Sequence, residues 1–448
     1  MKGFTKSFSR HSPAAGCIRP GKLVPKQLAQ AELLASSKTY EKFSLVVSRL
    51  GYLFERFPAF TQTFCAREVA ELYRQGLCPP VFSIRRPDEE RPVNIPLDSV
   101  KIRYLPYTNS VGFKLRTKLV APKLRRIWLS SGDTRDKNRF YEALYLSHLV
   151  RRENIGHLHV HFAGLAARTA WWMKKLFGIT YSVTGHAKDI FCVEPDGRIT
   201  LQDLVEDAAF TVTVSDYSAA YLRKSVPAAA QKIFRIYNGL DLALFRAARP
   251  QDEPVKMLSV GRLIKKKGFP DLIRACDRLR QSGKQFQCEI VGTGPDGPEL
   301  ENQIKEAGLS GTVRLVGSRS QAGLVELLAQ TQIFVFPAIR ERSGDSDNLP
   351  TVIIEAMASG LPVVATRIAG IPEIVAENQS GLLVDEQSPD QLARALGRLI
   401  DDPALRQQFG TKSRLMADQT FRLDKTVAQL RDLFAHHAGL KDFPPGST

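Results

Sequence analysis

Residues 341–363 read ERSGDSDNLPTVIIEAMASGLPV. A loop of small and acidic residues runs into Leu349-Pro350 and then into the apolar TVIIEAMA. Gly360-Leu361-Pro362 closes that stretch before Val363–Ala365. Proline suits the first turn of a helix, where the N–H groups have no intrahelical acceptor, and those same free N–H groups favour an anion. The segment therefore reads as loop, helix and buried strand, with a site for a diphosphate at the helix start. Two carboxylates, Asp347 and Glu355, lie eight residues apart across that start. Glu355 falls a turn or so inside the helix, within reach of a sugar hydroxyl.

The alternation of short β-branched strands with helices extends in both directions. From residue 255 it runs VKMLSVG, DLIRACDRLRQ, QCEIVG, GPELENQIKEAG, VRLVG, AGLVELLAQ and IFVFPA. Towards the N-terminus, FSLVVSRL (43–50) reads as a first buried strand ending at Gly51. VFSI (81–84), KIRYL (101–105), HLHVHFA (157–163), AAFTVTVS (208–215) and KIFRIYN (232–238) follow, with a helix over 139–152. His159 and His161 fall on one face of their strand. Such alternation implies parallel sheets covered on both faces. The polar RAARPQDEP (246–254) carries two prolines and reads as a linker, and 389–435 is helical throughout. The expectation is an α/β chain of two doubly wound, Rossmann-like domains. Residues 1–42 form a basic tail, expected to be disordered; 43–246 form the first domain and 255–420 the second.

At 448 residues the chain is long enough for two ordinary domains. The net charge of +17 is unevenly spread. Residues 1–250 hold 39 Lys and Arg against 21 Asp and Glu, whereas 251–448 hold 24 against 25. A basic first half suggests an anionic membrane surface or an acidic acceptor. The stretch 101–126 has eight basic residues, no acid, and interleaved apolar residues ending at Trp128, a composition that can lie among lipid headgroups. Pro122 interrupts it. No nucleic-acid module signature is present, so nucleic acid is not an expected partner. The six cysteines show neither C-x-x-C pairing nor metal spacing and read as reduced thiols. With no apolar run of spanning length and no apolar leader, the expected location is cytoplasmic, peripheral on the inner face of the membrane.

The segment 347–355 resembles the nucleotide-sugar motif of the retaining glycosyltransferases of family 4, which have the two-domain GT-B fold. The family pattern is Glu, seven residues, Glu; here Asp347 stands first, one methylene shorter. Four further motifs follow in the family's order. SVGRLIKKKGFPDLI (259–273) places Arg262 and Lys267 five apart after a strand. Two fixed cations there stabilise the charge that develops on a departing diphosphate, and in the family the matching residues hold that group. Lys265 and Lys266 read as solvated bystanders. VGTGP (291–295) is a glycine-rich turn whose Gly292 and Gly294 allow close backbone approach to a base or phosphate. VTGHAKDIF (183–191) is similar to the family's loop facing the donor sugar. The resemblance places His186 near the reacting carbon, with Asp189 orienting it or binding acceptor. IAGIPEIV (368–375) matches a loop at the second domain's edge, with Glu373 a minor candidate. The resemblance also implies a C-terminal helix, 421–438, that crosses back to the first domain.

The activity implied is a retaining hexosyl transfer from a UDP- or GDP-linked sugar, with no cofactor, to a lipid-linked or polysaccharide acceptor. Asp347 contacts the sugar, Glu355 holds the ribose, and the helix start at Leu349, Pro350 and Thr351 holds the diphosphate through its free N–H groups, proline itself having none. Asp345-Ser346-Asp347 is also a D-x-D triplet, which in another glycosyltransferase fold holds a metal. Arg262 and Lys267 already supply positive charge, so no metal is expected. Rival readings are a soluble enzyme making a small glycoside or storage glucan, a non-catalytic GT-B binding protein, and a nucleic-acid binder suggested by charge alone.

Overall fold

The computed structural model describes residues 49–59, 62–87, 95–108, 110, 136–192, 199–245 and 254–440. The basic tail, the stretch 111–126 and the linker 246–253 lie outside the described residues. The described chain builds two parallel sheets. The first contains β1 (Arg49–Arg56), β2 (Val81–Arg85), β3 (Ile102–Tyr104), β4 (Ile155–His161), β5 (Thr180–Gly185), β6 (Thr211–Thr213) and β7 (Ile233–Arg235). The second contains β8 (Val255–Val260), β9 (Phe286–Val291), β10 (Val313–Leu315), β11 (Ile333–Phe336), β12 (Val363–Thr366) and β13 (Gly381–Val384).

The strand orders are β3-β2-β1-β4-β5-β6-β7 and β10-β9-β8-β11-β12-β13. Each order reverses direction once, between β1 and β4 and between β8 and β11. In open α/β sheets the crevice lies outside the carboxyl ends of the strands at such a switch point. This places His161, at the end of β4, and Gly261–Lys267, after β8, where a ligand is to be sought.

The first strand differs from the sequence expectation. It does not stop at Gly51 but continues to Arg56, pairing with β2 through Tyr52–Arg56 and with β4 through Arg49–Leu53. A central strand is held from both edges, which outweighs the local punctuation of one glycine. Residues 43–48 lie outside the described residues. Leu53, Phe82, Leu158 and Val160 form one face of the first sheet's core, and Tyr52, Phe54, Val69 and Val81 the other. In the second sheet, β9's Cys288 and Ile290 and β11's Ile333 and Val335 pack against the helix Phe269–Gln281.

The last helix, Leu423–His437, returns to the first sheet. Its Val427, Leu430 and Phe434 pack in the cluster of Tyr52, Phe57 and Val69, and Arg431 donates to Gln75 Oε1 at 2.8 Å. Among the described residues no helix is long and apolar enough to cross a membrane.

Candidate active site

The second sheet presents charge at its switch point. After β8, a single 3-10 turn (Lys265–Lys267) ends at Gly268 and sits against the exit of β11, where Ile339 N donates to Lys266 O at 2.8 Å. The turn aims two lysines at the acidic loop. Lys267 Nζ lies 2.7 Å from Asp347 Oδ2 and 4.9 Å from the Phe336 ring centre. Lys266 is not a bystander: it is buried, with Nζ 3.1 Å from Asp345 Oδ1 and 3.7 Å from Asp347 Oδ1. Lys265 and Arg262 are exposed.

Gly292 and Gly294 also have a purpose within the fold itself. Gly292 has φ +149°, and a Cβ there would stand 1.8 Å from Gly261 O; at Gly294 it would stand 2.3 Å from Leu263 O. These glycines bring the 291–295 turn against the chain's own 261–263 loop, fixing the backbone that carries Arg262. Leu263 N donates to Thr293 O at 2.9 Å across that contact.

The helix after the acidic loop is Thr351–Ala358, with Pro350 at the cap one position earlier than the first helical turn expected. Leu349 is buried among the core, so only its backbone can serve a ligand. Glu355 is buried and faces the other sheet's helix: Arg67 Nη2, on Thr63–Arg74, lies 3.1 Å from Glu355 Oε1 and 3.0 Å from Gln321 Oε1. Burial raises the Glu355 carboxyl, and Arg67 opposes that rise.

Asn348, the residue after Asp347, stitches the two halves together. Its Nδ2 donates to His186 O and to Ser218 Oγ, both at 2.6 Å, and its Oδ1 accepts from Ser215 Oγ at 2.7 Å. The loops of Asp347 and His186 thus meet. Glu373 adds a second tie, accepting from the N–H groups of Asp216 and Tyr217 at 2.7 Å each.

On the first sheet, His186 is 7% exposed and caged by Phe162 and Phe64, with ring centres 4.4 and 4.6 Å away. Asp189 turns its carboxylate inward to the N–H groups of Ala163 (2.9 Å), His186 (3.1 Å) and Ala187 (3.0 Å). It shapes the loop that carries His186, and burial raises its carboxyl despite those bonds. The histidines of β4 are not cleft-wall residues but interior ones. His157 and His159 are bonded to Ser182 (2.9 and 2.7 Å), and burial lowers both, His157 to about 3. His161 Nδ1 lies 3.1 Å from His186 Nε2, and His161 Nε2 lies 3.0 Å from Glu68 Oε1.

Arg67, Glu68, Lys266 and Asn348 are the residues that sequence reasoning missed. Glu68 and Arg67 sit mid-helix in an unremarkable AREVAEL, where only the tertiary partners give them meaning. Two sets of possible metal ligands occur among the described residues: Cys65, His161 and His186, and Glu68, His159 and His161. Both ring nitrogens of His159 and of His161, and Nε2 of His186, are already engaged with one another or with Glu68, Ser182 and Thr184. Asp345 and Asp347 are engaged by lysines.

The comparisons with known proteins agree with this layout. Residues 243–416 match the family "Glycosyl transferases group 1" and 82–244 match "Glycosyltransferase Family 4". The Salmonella typhimurium protein WcaL, named for colanic acid biosynthesis, is 26% identical over 86% of this chain and 99% of its own length. D-inositol 3-phosphate glycosyltransferase of Corynebacterium glutamicum is 30% identical over 64% of this chain and 73% of its own. Sucrose-phosphate synthase of Thermosynechococcus elongatus superposes with a TM-score of 0.67 at 20% identity, over 87% of this chain and 99% of that one. Anabaena HepE, solved in complex with UDP, gives 0.65 at 17%, over 86% and 99%. Two parallel sheets whose carboxyl-end loops are joined through Asn348 are the GT-B fold, and the chain belongs to the group 1 glycosyltransferases, as a hexosyltransferase.

Proposed function

We propose that the protein moves a hexose from a UDP- or GDP-linked sugar to a lipid-linked or growing polysaccharide acceptor, with retention and without a metal ion. The observation that carries this reading is the Lys267–Asp347 pair beside the start of the helix Thr351–Ala358. A cation, a carboxylate and free helix N–H groups converge there at one sheet's switch point. Loss of the nucleoside diphosphate develops negative charge, which Arg262, Lys267 and the N–H groups around Leu349–Thr351 are suited to stabilise. Asp347 meets the sugar. Glu355 keeps Oε1 on Arg67, leaving Oε2 for a ribose hydroxyl. His186 faces the donor sugar, on a loop that Asp189 shapes. Retention with no evident nucleophile implies attack from the face of departure. Metal independence is supported by the lysines that already hold Asp345 and Asp347.

Support for the donor comes from HepE, solved with UDP and glucose. Support for a polysaccharide product comes from WcaL and from the amylovoran biosynthesis glycosyltransferase AmsK of Erwinia amylovora, 39% identical over 33% of this chain and 36% of its own. The basic stretch 101–126 favours an acceptor at an anionic membrane face. The deciding experiment measures nucleoside diphosphate release from UDP-, GDP- and ADP-sugars, with membrane lipid extract as acceptor and a chelator in parallel. Chelator-resistant release from one donor, giving a product of unchanged anomeric configuration, is the expected result. Loss of release with chelator would return Asp345 and Asp347 to the role of metal ligands. Neutralising Lys123, Arg125 and Arg126 is expected to weaken binding to anionic vesicles, at about 1 kcal/mol per charge; unchanged binding would favour a soluble acceptor.

A further inference from the structure

We infer that Glu68 and His161 are positioning residues that fix which ring nitrogen of His186 carries its proton, and so what His186 offers to the substrate. This rests on the placement of His186 at the donor sugar. The geometry is a chain of three groups: Glu68 Oε1 lies 3.0 Å from His161 Nε2, and His161 Nδ1 lies 3.1 Å from His186 Nε2. The two imidazoles are stacked, with centres 5.4 Å apart and planes 18° apart. Phe54 stacks on His161 at 5.3 Å, so the ring has little freedom to turn.

The groups facing His161 define its state. Tyr52, on β1, donates its hydroxyl to Glu68 Oε1 at 2.8 Å, holding the carboxylate in place. Cys65 and Glu68 face it from the helix Thr63–Arg74, His159 from its own strand, and His186 from the loop after β5. His159 is committed to Ser182 and Thr184, and burial holds it neutral. Burial also pushes the Cys65 thiol up, so at neutral pH it carries no charge. Glu68 is the group left to support a cation. Burial pulls the His161 imidazolium down, but Cys65 and Glu68 on the facing helix raise the group above its ordinary value, and with the thiol uncharged the cation rests on Glu68.

A charged His161 donates from both nitrogens. Its Nε2–H goes to Glu68 and its Nδ1–H to the lone pair of His186 Nε2. His186 is neutral, lowered by burial and then by His161. Its proton must then reside on Nδ1, making that nitrogen a donor towards a sugar hydroxyl or a developing negative charge. With His161 neutral and its proton kept on the Glu68 side, His186 must donate from Nε2 instead, and its Nδ1 becomes an acceptor. A carboxylate at one end thus selects between donor and acceptor at the other. Glu68 is well placed to do so because it also lines a cavity with Phe64, Thr184, Tyr237 and Leu423 and is in reach of solvent protons.

The test is Glu68→Gln, nearly isosteric, with kcat, KM and pH profile measured by nucleoside diphosphate release. The expected result is a fall in kcat of about 10- to 100-fold with donor KM unchanged. Its alkaline limb should move to lower pH, because His161 without the carboxylate loses its proton earlier. A wild-type alkaline limb, whether or not kcat falls, overturns the inference and leaves Glu68 a packing residue. A second measurement needs no variant. In the wild-type protein with 15N-labelled histidine, His186 is expected to carry its proton on Nδ1, and a proton on Nε2 overturns the assignment. His186→Ala separates the two levels of argument. If it turns over at the wild-type rate, the placement of His186 at the donor fails. If it is crippled while Glu68→Gln behaves as wild type, only the relay fails.

Discussion

The two sheets handle ionisable groups in opposite ways at their switch points. The second sets cations against carboxylates in loops that solvent still reaches, with Lys267 on Asp347 and Lys266 on Asp345. The first buries its polar groups in a string of imidazoles among aromatic rings, with a single carboxylate at one end. Loop charge can be exchanged for a ligand's charge at little cost, which suits a site that must bind and release a diphosphate. Buried imidazoles exchange little with solvent but hold orientation, which suits a site that must aim one group at a reacting carbon. The contrast predicts that substitutions in the second half fall on leaving-group stabilisation, and those in the first half on rate with little change in binding.

The largest effect is expected at Lys267. Lys267→Ala should lower kcat about 10²- to 10³-fold, the range for removing one fixed donor from a developing negative charge. Its folding stability should change far less, since Asp347 remains near Lys266 at 3.7 Å. A loss in kcat of less than tenfold, read by initial rates of diphosphate release, would remove Lys267 from the leaving-group site and blur the contrast.

Next is the pair that spans the two halves. Arg67→Met leaves Glu355 buried without its cation, which typically costs about 3–5 kcal/mol. The pH dependence has a definite sign. The folded state already raises Glu355 above its ordinary value of 4.5 by burial, with Arg67 opposing that rise. An acid raised on folding is favoured in its protonated form, so its contribution declines as pH rises through the window above 4.5. Removing Arg67 raises it further, and the deficit of Arg67→Met should therefore be larger at pH 8 than at pH 5. Denaturant titrations at the two pH values check this; equal deficits would show that the carboxylate is not the source of the loss.

Asn348→Ala should cost about 1–3 kcal/mol, the penalty for leaving buried partners unsatisfied. It removes the bonds to His186 O, Ser218 Oγ and Ser215 Oγ at once and leaves the two hydroxyls only their bond to each other and that from Ser218 N. Because those partners lie on the first sheet's loops and Asn348 on the second's, the variant tests whether the halves stabilise each other. Two separated transitions by calorimetry, where wild type shows one, is the expected outcome.

What the sequence disclosed follows the same division. The strands of the second sheet and the helix Thr351–Ala358 are local patterns, and the periodicity of 255–366 places them. Lys267 and Asp347 fall in loops that follow strands of one sheet, and the structure brings them together there. Glu68 and His161 are not legible. The spacing of His157, His159 and His161 shows one strand face, but whether that face meets solvent or Tyr52 and Phe434 is settled only by β1 and by the returning helix Leu423–His437. Gly292 and Gly294 show a related gap: the need for glycine was readable, but not that the chain's own backbone at Gly261 and Leu263 imposes it.

The smallest effect is predicted within the run Lys265-Lys266-Lys267, where identical side chains are sorted by one turn of backbone. Lys265 is exposed, and Lys265→Ala should change stability by no more than about 0.5 kcal/mol and kcat by no more than about twofold. Lys266→Ala removes the 3.1 Å partner of Asp345 and should lower stability more than rate. Lys267→Ala should do the reverse. The three variants share the change in charge, so a general loss of positive potential would affect all three alike. A rate loss at Lys265 comparable to that at Lys267 would mean that the leaving group responds to summed charge rather than to one placed ammonium. Separation of the three, in rate and in stability, would instead show that the geometry of this one turn sets the function of each lysine.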